Sequence, residues 1–169
     1  MRITEKARVF ATAAHAAVGQ FRKYTGEAYI HHPAMVADIV ANVGGTDEMI
    51  AAAFLHDVLE DTKVTVDVLR TEFGDEVANL VLWLTKVGEE HHGNRAARKA
   101  LDCEYLAMAP AEVHTIKLAD LIANTPSIVE HDPKFAKVYV PEKLDLLVVL
   151  TKGNGDLRNR AYELCWEAL

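Results

Sequence analysis

The stretch Ile50-Ala-Ala-Ala-Phe-Leu-His56-Asp57-Val-Leu-Glu60-Asp61 sets the tightest limits on how this chain can fold. Its first half is a continuous apolar run of good helix formers without Gly or Pro, which predicts a buried helix. His56 and Asp57 then follow inside the core, where a carboxylate without a partner is costly, so Asp57 calls for a cation. An adjacent imidazole and carboxylate at a helix end can reach the same metal ion. On a continuing helix Glu60 falls at i+4 from His56 and i+3 from Asp57, placed to hold or deprotonate a water, while Asp61 stacks over Asp57. That spacing suits hydrolysis. Solvated acidic clusters also end many helices, and two ligands do not fill even a four-coordinate site, so further ligands have to come from elsewhere.

At 169 residues the chain is long enough for one well-buried domain, 1–169, and too short for two of ordinary size. No apolar run approaches the roughly 20 residues of a membrane span. The N-terminus, Met1-Arg-Ile-Thr-Glu-Lys-Ala-Arg, has neither the apolar segment nor the cleavage site of a secretion signal, so a cytoplasmic protein without a membrane partner is expected. Cys103 and Cys165 make neither a metal-type pair nor a disulfide framework and read as buried apolar residues. A formal net charge of −7 argues against nucleic-acid binding, although a local basic cluster can still hold a small phosphorylated substrate. Self-association into a homo-oligomer stays open.

Thr4 is positioned to cap a first helix with Ala7, Phe10, Ala11, Ala14 and Val18 on its apolar face, ending near Gly19. His15 lies beside that stripe and reads as a core histidine satisfied by a hydrogen bond. The segment from Gln20 to Pro33 reads as a loop that concentrates Arg22, Lys23, His31 and His32. Arg22 offers a planar fork and Lys23 a point charge, two complementary grips on phosphate oxygens, though basic pairs are also common on plain surfaces. Pro33 suits the first position of a second helix and biases His32 to an extended conformation, aiming it as a ligand while His31 faces the other way.

That second helix should run to about Val43 on Met35, Val36, Ile39 and Val40, with Gly44-Gly45 ending it and Thr46 or Asp47 capping the central helix. Thr65 starts another helix that closes at Phe73-Gly74, and Asp75 starts one buried through Val77, Leu80, Val81 and Leu84. Gly88 to Asn94 is polar and Gly-bounded, and its His91-His92 pair reads as part of a solvated loop. A helix from Arg95 through Met108 precedes a second motif, in which Lys117, Asp120 and Asn124 fall at i, i+3 and i+7 and so line one face amid apolar neighbours. Asp120 there needs a cation, either a metal or Lys117 itself. Asp132-Pro133 begins a short helix that Pro141 interrupts or restarts, with Leu144, Leu147 and Val148 buried. Asp156 caps a last helix packed through Leu157, Ala161, Leu164, Cys165 and Ala168. No alternating β-branched run is present, so the fold should be all-α with about eight helices or more.

His32, His56, Asp57 and Asp120 are the set by which the chain resembles the HD-domain metal-dependent phosphohydrolases. The longer motifs are Ala14-His15-x-x-x-Gly19-Gln20-x-Arg22-Lys23-x-Thr-Gly26-x-x-Tyr29-Ile-x-His32-Pro33, Leu55-His56-Asp57-x-x-Glu60-Asp61-Thr62, and Lys117-Leu-Ala-Asp120 with Asn124. Together they resemble the hydrolase domain of the RelA/SpoT family and its small stand-alone alarmone hydrolases, from the first helix to about Thr151. The resemblance implies a compact all-α HD-domain bundle with a metal site in its core. It also implies Mn²⁺-dependent removal of pyrophosphate from the 3′ position of guanosine tetra- or pentaphosphate (ppGpp), the alarmone degradation of the stringent response. Glu60 and Asp61 would serve the attacking water, while Arg22, Lys23, Tyr24, Lys117 and Asn124 would bind the substrate.

Where that family usually has Arg, and two residues later an aromatic or His, this chain has Leu121 and Ala123, which bears on the choice of nucleotide. No synthetase or regulatory sequence follows, as expected of a dedicated hydrolase. A nucleotidase or triphosphohydrolase of the wider HD group is a second reading, and a non-catalytic nucleotide-binding module a third. Mixed imidazole and carboxylate ligands suit Mn, Fe, Co or Zn. A module without turnover has no need of Glu60 where it stands.

Overall fold

The computed structural model describes residues 1–86, 88 and 93–169, so His91-His92 lies outside the described residues. Among these the regular structure is helical throughout, apart from one isolated antiparallel bridge between Phe21 and Ala28. The contacts gather into two units, Met1–Thr85 and Lys86–Leu169.

In the first unit, α1 (Ile3–Ala17), α2 (His31–Asn42) and α5 (Val66–Leu84) pack against α3 (Asp47–Leu55), and a single turn, α4 (Val58–Asp61), follows α3. Thr46 caps α3 by accepting from the Met49 amide. Ala51, Ala52, Ala53 and Leu55 are fully buried. Three successive alanines leave room for helices on every side, and each fully buried Leu or Phe contributes about 1.5–3 kcal/mol from area removed from water. The expected close at Phe73-Gly74 is a break inside α5, where Gly74 has φ 84° and ψ 170°. Val77, Leu80, Val81 and Leu84 are buried after it, as their spacing requires.

Some boundaries and faces differ from the sequence expectation. Arg2, not Thr4, is the N-cap of α1, because Glu5 reaches back to accept from the Arg2 amide at 3.2 Å. The buried stripe of α1 is Ala7, Ala11 and His15, and Val18 is exposed because the helix ends at Ala17. In α2 the core face is Val36, Ala37 and Val40, whereas Met35 is exposed.

The second unit is built on α7 (Ala111–His131), which packs against α8 (Pro133–Val149) and α9 (Gly155–Glu167), with α6 (Arg95–Met108) against α8. The limits of α6 are those expected. Pro141 does not interrupt α8. The carbonyl that loses its amide partner there belongs to Lys137, an exposed residue that water can serve. Leu146, Leu147 and Leu150 are buried on α8 and its end, while Val148 is exposed. Asn154, not Asp156, caps α9, accepting from the Leu157 amide at 3.0 Å. His114 is fully buried on α7, where its Nε2 lies 2.7 Å from the Leu106 carbonyl and its Nδ1 accepts from the Lys152 amide at 3.2 Å.

Candidate metal centre

His56 and Asp57 sit where α3 stops. Both have α-region backbone angles but lie between α3 and α4, so the central helix is broken at the ligand-type residues and does not run through them. The stacking of Asp61 over Asp57 survives the break, since the Asp61 amide donates to the Asp57 carbonyl at 3.0 Å. His32 reaches the same place from another helix. It is not an extended residue before a helix-starting proline: α2 begins at His31, which puts Pro33 in its first turn. The His31 and His32 amides donate back to Ala28 and Tyr29. Proline is tolerated there because first-turn amides have no helical partner in any case. The outcome for the side chains is as expected, with His32 buried and His31 exposed.

His32, His56 and Asp57 offer ligand atoms that all lie within 4.8 Å of one another. His56 Nδ1 is 2.7 Å from the Ala53 carbonyl, which can only accept, so the ring proton is on Nδ1. In the neutral ring Nε2 therefore turns a lone pair toward Asp57 Oδ2, 3.1 Å away. His32 Nε2 lies 3.8 Å from that same oxygen, and the Tyr29 hydroxyl donates to it at 2.5 Å. Two acceptors in such an approach repel unless a cation stands with them. The residues thus fit a divalent ion of the N/O-preferring transition series.

Asp120, the fourth expected ligand, belongs to the second unit. It is 8 % exposed, with Lys117 Nζ 2.8 Å from its Oδ2 and the Asn124 amide donating to its Oδ1 at 2.8 Å. The i, i+3, i+7 row read from the sequence is therefore one connected cluster, with Lys117 as an ion-pair partner of Asp120. Leu121 and Ala123 are buried beside it, so the two departures from the family pattern are core residues here.

The basic loop is a tight turn closed by Gly26 at φ 72°, with the Gly26 amide donating to the Arg22 carbonyl and the Arg22 amide to the Glu27 carbonyl. Lys23 is exposed, with its ammonium 5.0 Å from the centre of the Tyr24 ring. Glu60 is half-buried and Asp61 exposed.

Four residues at these clusters lie outside the set of site residues that the sequence suggests. Tyr29 and Gln20 bond Asp57 and Asp61, and their signal in the sequence is a place in the first long motif and its Gly-bounded loop, with no partner attached. His15 is a core histidine whose Nδ1 meets Gln20 at 2.8 Å, yet its Nε2 has no hydrogen-bond partner among the described residues. Burial holds its pKa below the ordinary value, partly offset by the Gln20 hydrogen bond and by Asp57 and Asp61. In the second unit Lys143 places its ammonium 4.8 Å from the Tyr139 ring centre, and burial, then Lys117, push its pKa down to about 8.

Among the described residues no helix is long and apolar enough to cross a membrane. The guanosine-3′,5′-bis(diphosphate) 3′-pyrophosphohydrolase of Aquifex aeolicus is 37% identical over 154 residues, covering 89% of this chain and 21% of that protein. A GTP pyrophosphokinase of Streptomyces antibioticus is 39% identical over 125 residues, covering 73% of this chain and 14% of that protein. The chain thus spans about a fifth or less of the length of these curated relatives. The solved structure of a metazoan ortholog of SpoT, which hydrolyses ppGpp and plays a role in starvation responses, has a TM-score of 0.88 at 23% identity. It covers 99% of this chain and 96% of its own, and shows the fold. Residues 7–152 match the model of the HD domain, and this chain belongs to that family.

Proposed function

We propose that this chain is a divalent-metal-dependent phosphohydrolase that removes pyrophosphate from the 3′ position of guanosine tetra- or pentaphosphate. The observation that carries the reading is the approach of His32, His56 and Asp57 ligand atoms to within 4.8 Å, followed one turn later by Glu60 and Asp61. The Aquifex relative, named for this activity, supports the substrate. Asp120 joins the ligand set on its residue type and its place in the Lys117-Leu-Ala-Asp120 motif. Mn²⁺ is the ion assigned, within the class that mixed imidazole and carboxylate donors select. When bound, such an ion supplies Lewis acidity toward a phosphoryl oxygen and lowers the pKa of water.

The protein groups divide the remaining work. Glu60 takes the proton of the attacking water, and Asp61 orients that water. Water adds to the phosphorus attached to the ribose 3′ oxygen, that P–O bond breaks, and the 3′ oxygen leaves as a hydroxyl. Pyrophosphate and the 5′-phosphorylated nucleoside are the products. Arg22 and Lys23 meet the phosphate charge, the first as a fork and the second as a point charge. Tyr24, Lys117 and Asn124 complete the substrate contacts, and residues 1–169 serve as a single cytoplasmic domain.

A panel of guanosine tetraphosphate, its adenosine analogue and common nucleotides, each incubated with Mn²⁺, tests this reading with pyrophosphate and orthophosphate followed separately. Pyrophosphate release from the guanosine compound is expected. Orthophosphate from nucleoside mono- or triphosphates, with no pyrophosphate, would assign the chain to the wider group of HD nucleotidases.

A further inference from the structure

Asp61 is an exposed carboxylate at the end of a four-residue helix, a position with little local packing to hold a side chain. It is nonetheless tied. The Gln20 amide donates through Nε2 to Asp61 Oδ2 at 2.9 Å, and Gln20 Oε1 lies 2.8 Å from His15 Nδ1. The chemistry fixes the direction of both bonds. A carboxylate only accepts, so the amide nitrogen faces Asp61 and the amide oxygen faces His15, which must then carry its proton on Nδ1.

The anchor itself cannot swing away. His15 is 1 % exposed, and its ring lies 4.5 Å, centre to centre, from that of Tyr29. Gly19, at φ 66°, follows the end of α1 so that the Gln20 amide returns to the His15 carbonyl, which brings the Gln20 side chain back to the Nδ1 edge of the histidine ring. The Tyr29 hydroxyl in turn donates to Asp57. One buried histidine therefore stands behind both aspartates of this segment, Asp57 through Tyr29 and Asp61 through Gln20.

We propose that Gln20, held by His15, is a positioning residue that fixes the Asp61 carboxylate by its Oδ2 and leaves Oδ1 to orient the attacking water. This rests on the hydrolase reading. An exposed aspartate samples several rotamers, and a device that selects one raises the fraction of productive encounters without touching substrate or ion.

The test uses the full chain with Mn²⁺ and guanosine tetraphosphate. Gln20→Met keeps the length of the side chain but removes both hydrogen bonds, and Gln20→Glu keeps the acceptor for His15 while setting a second carboxylate against Asp61. Both should lower kcat, by roughly 10-fold to 100-fold, with the Glu variant the worse of the two, while KM, Mn²⁺ content and melting temperature hold. In parallel, the Gln20 side-chain amide protons are followed by NMR in the wild type and in Asp61→Asn, where their shift and their protection from exchange should change. Unchanged kcat in Gln20→Met, or losses that follow KM or metal content, would overturn the positioning role. So would Gln20 amide signals indifferent to Asp61→Asn. Should the wild type instead release phosphate from another nucleotide, the substrate assignment alone falls, and the same kcat and KM comparison is read on that nucleotide. A wild type inert toward every nucleotide overturns both.

Discussion

His56 Nε2 and Asp57 Oδ2 stand 3.1 Å apart with the histidine proton committed to the Ala53 carbonyl on the far side of the ring, so an acceptor faces an acceptor. Removing the charge of one member should therefore be felt by a bound cation before it is felt by the fold. Asp57→Asn is expected to lower Mn²⁺ affinity by at least about 100-fold, since changes to residues behind a ligand already cost 10–100-fold. Metal analysis after dialysis and the Mn²⁺-induced rise in melting temperature both read it. Full retention of metal would remove Asp57 from the ligand set.

At Glu60 catalysis and scaffolding can be separated. Glu60→Gln keeps the size of the side chain and one acceptor oxygen but loses its basicity, so kcat should fall roughly 100-fold or more with metal content intact. Near-normal turnover would transfer the role to Asp61. Loss of metal would make Glu60 a ligand or a support of one.

Much of this arrangement was legible in the sequence, and the rest was not, for reasons that differ by residue. The buried central helix followed from Ala51 to Leu55, and the Lys117, Asp120 and Asn124 cluster from helical spacing alone, because both depend on neighbours within a few residues. The sequence aims His32 away from His31, but for a reason the fold replaces: a first-turn proline, not an extended entry, sets its direction. Val18 is exposed because the period carries it one step past the end of α1, and Val148 because the buried stripe of α8 and its end runs through Leu146, Leu147 and Leu150, a face that excludes it. Gln20 was invisible as a partner of Asp61, since 41 residues separate them and neither has a local signature of the contact.

His114 makes the second unit sensitive to acid. Burial holds its pKa below the ordinary 6.5, and both ring nitrogens are used in the neutral form. The sign follows from proton uptake: below about 6.5 the unfolded histidine binds a proton that the native one refuses, so stability falls as pH falls through that range. Denaturant unfolding from pH 8 to pH 5 should show the decline, and NMR titration of the His114 ring should place its midpoint below 6.5. A midpoint above 6.5 would contradict the sign.

Lys143 works in the opposite pH range. Its folded pKa of about 8 lies below the ordinary 10.5, so between the two values the unfolded state holds the extra proton and stability rises with pH. Lys143→Met should remove that rise and stabilise the chain at pH 7 by on the order of 1 kcal/mol or more. A destabilised Met variant would show that the ammonium has a compensating partner.

The account turns on where water adds and what leaves. ³¹P NMR of guanosine tetraphosphate hydrolysed by this chain with Mn²⁺ in ¹⁸O-enriched water reads both at once. The expected products are pyrophosphate carrying one ¹⁸O and guanosine 5′-diphosphate carrying none. Orthophosphate as the released product, or ¹⁸O retained on the nucleoside, would contradict the proposed 3′-pyrophosphohydrolase reaction.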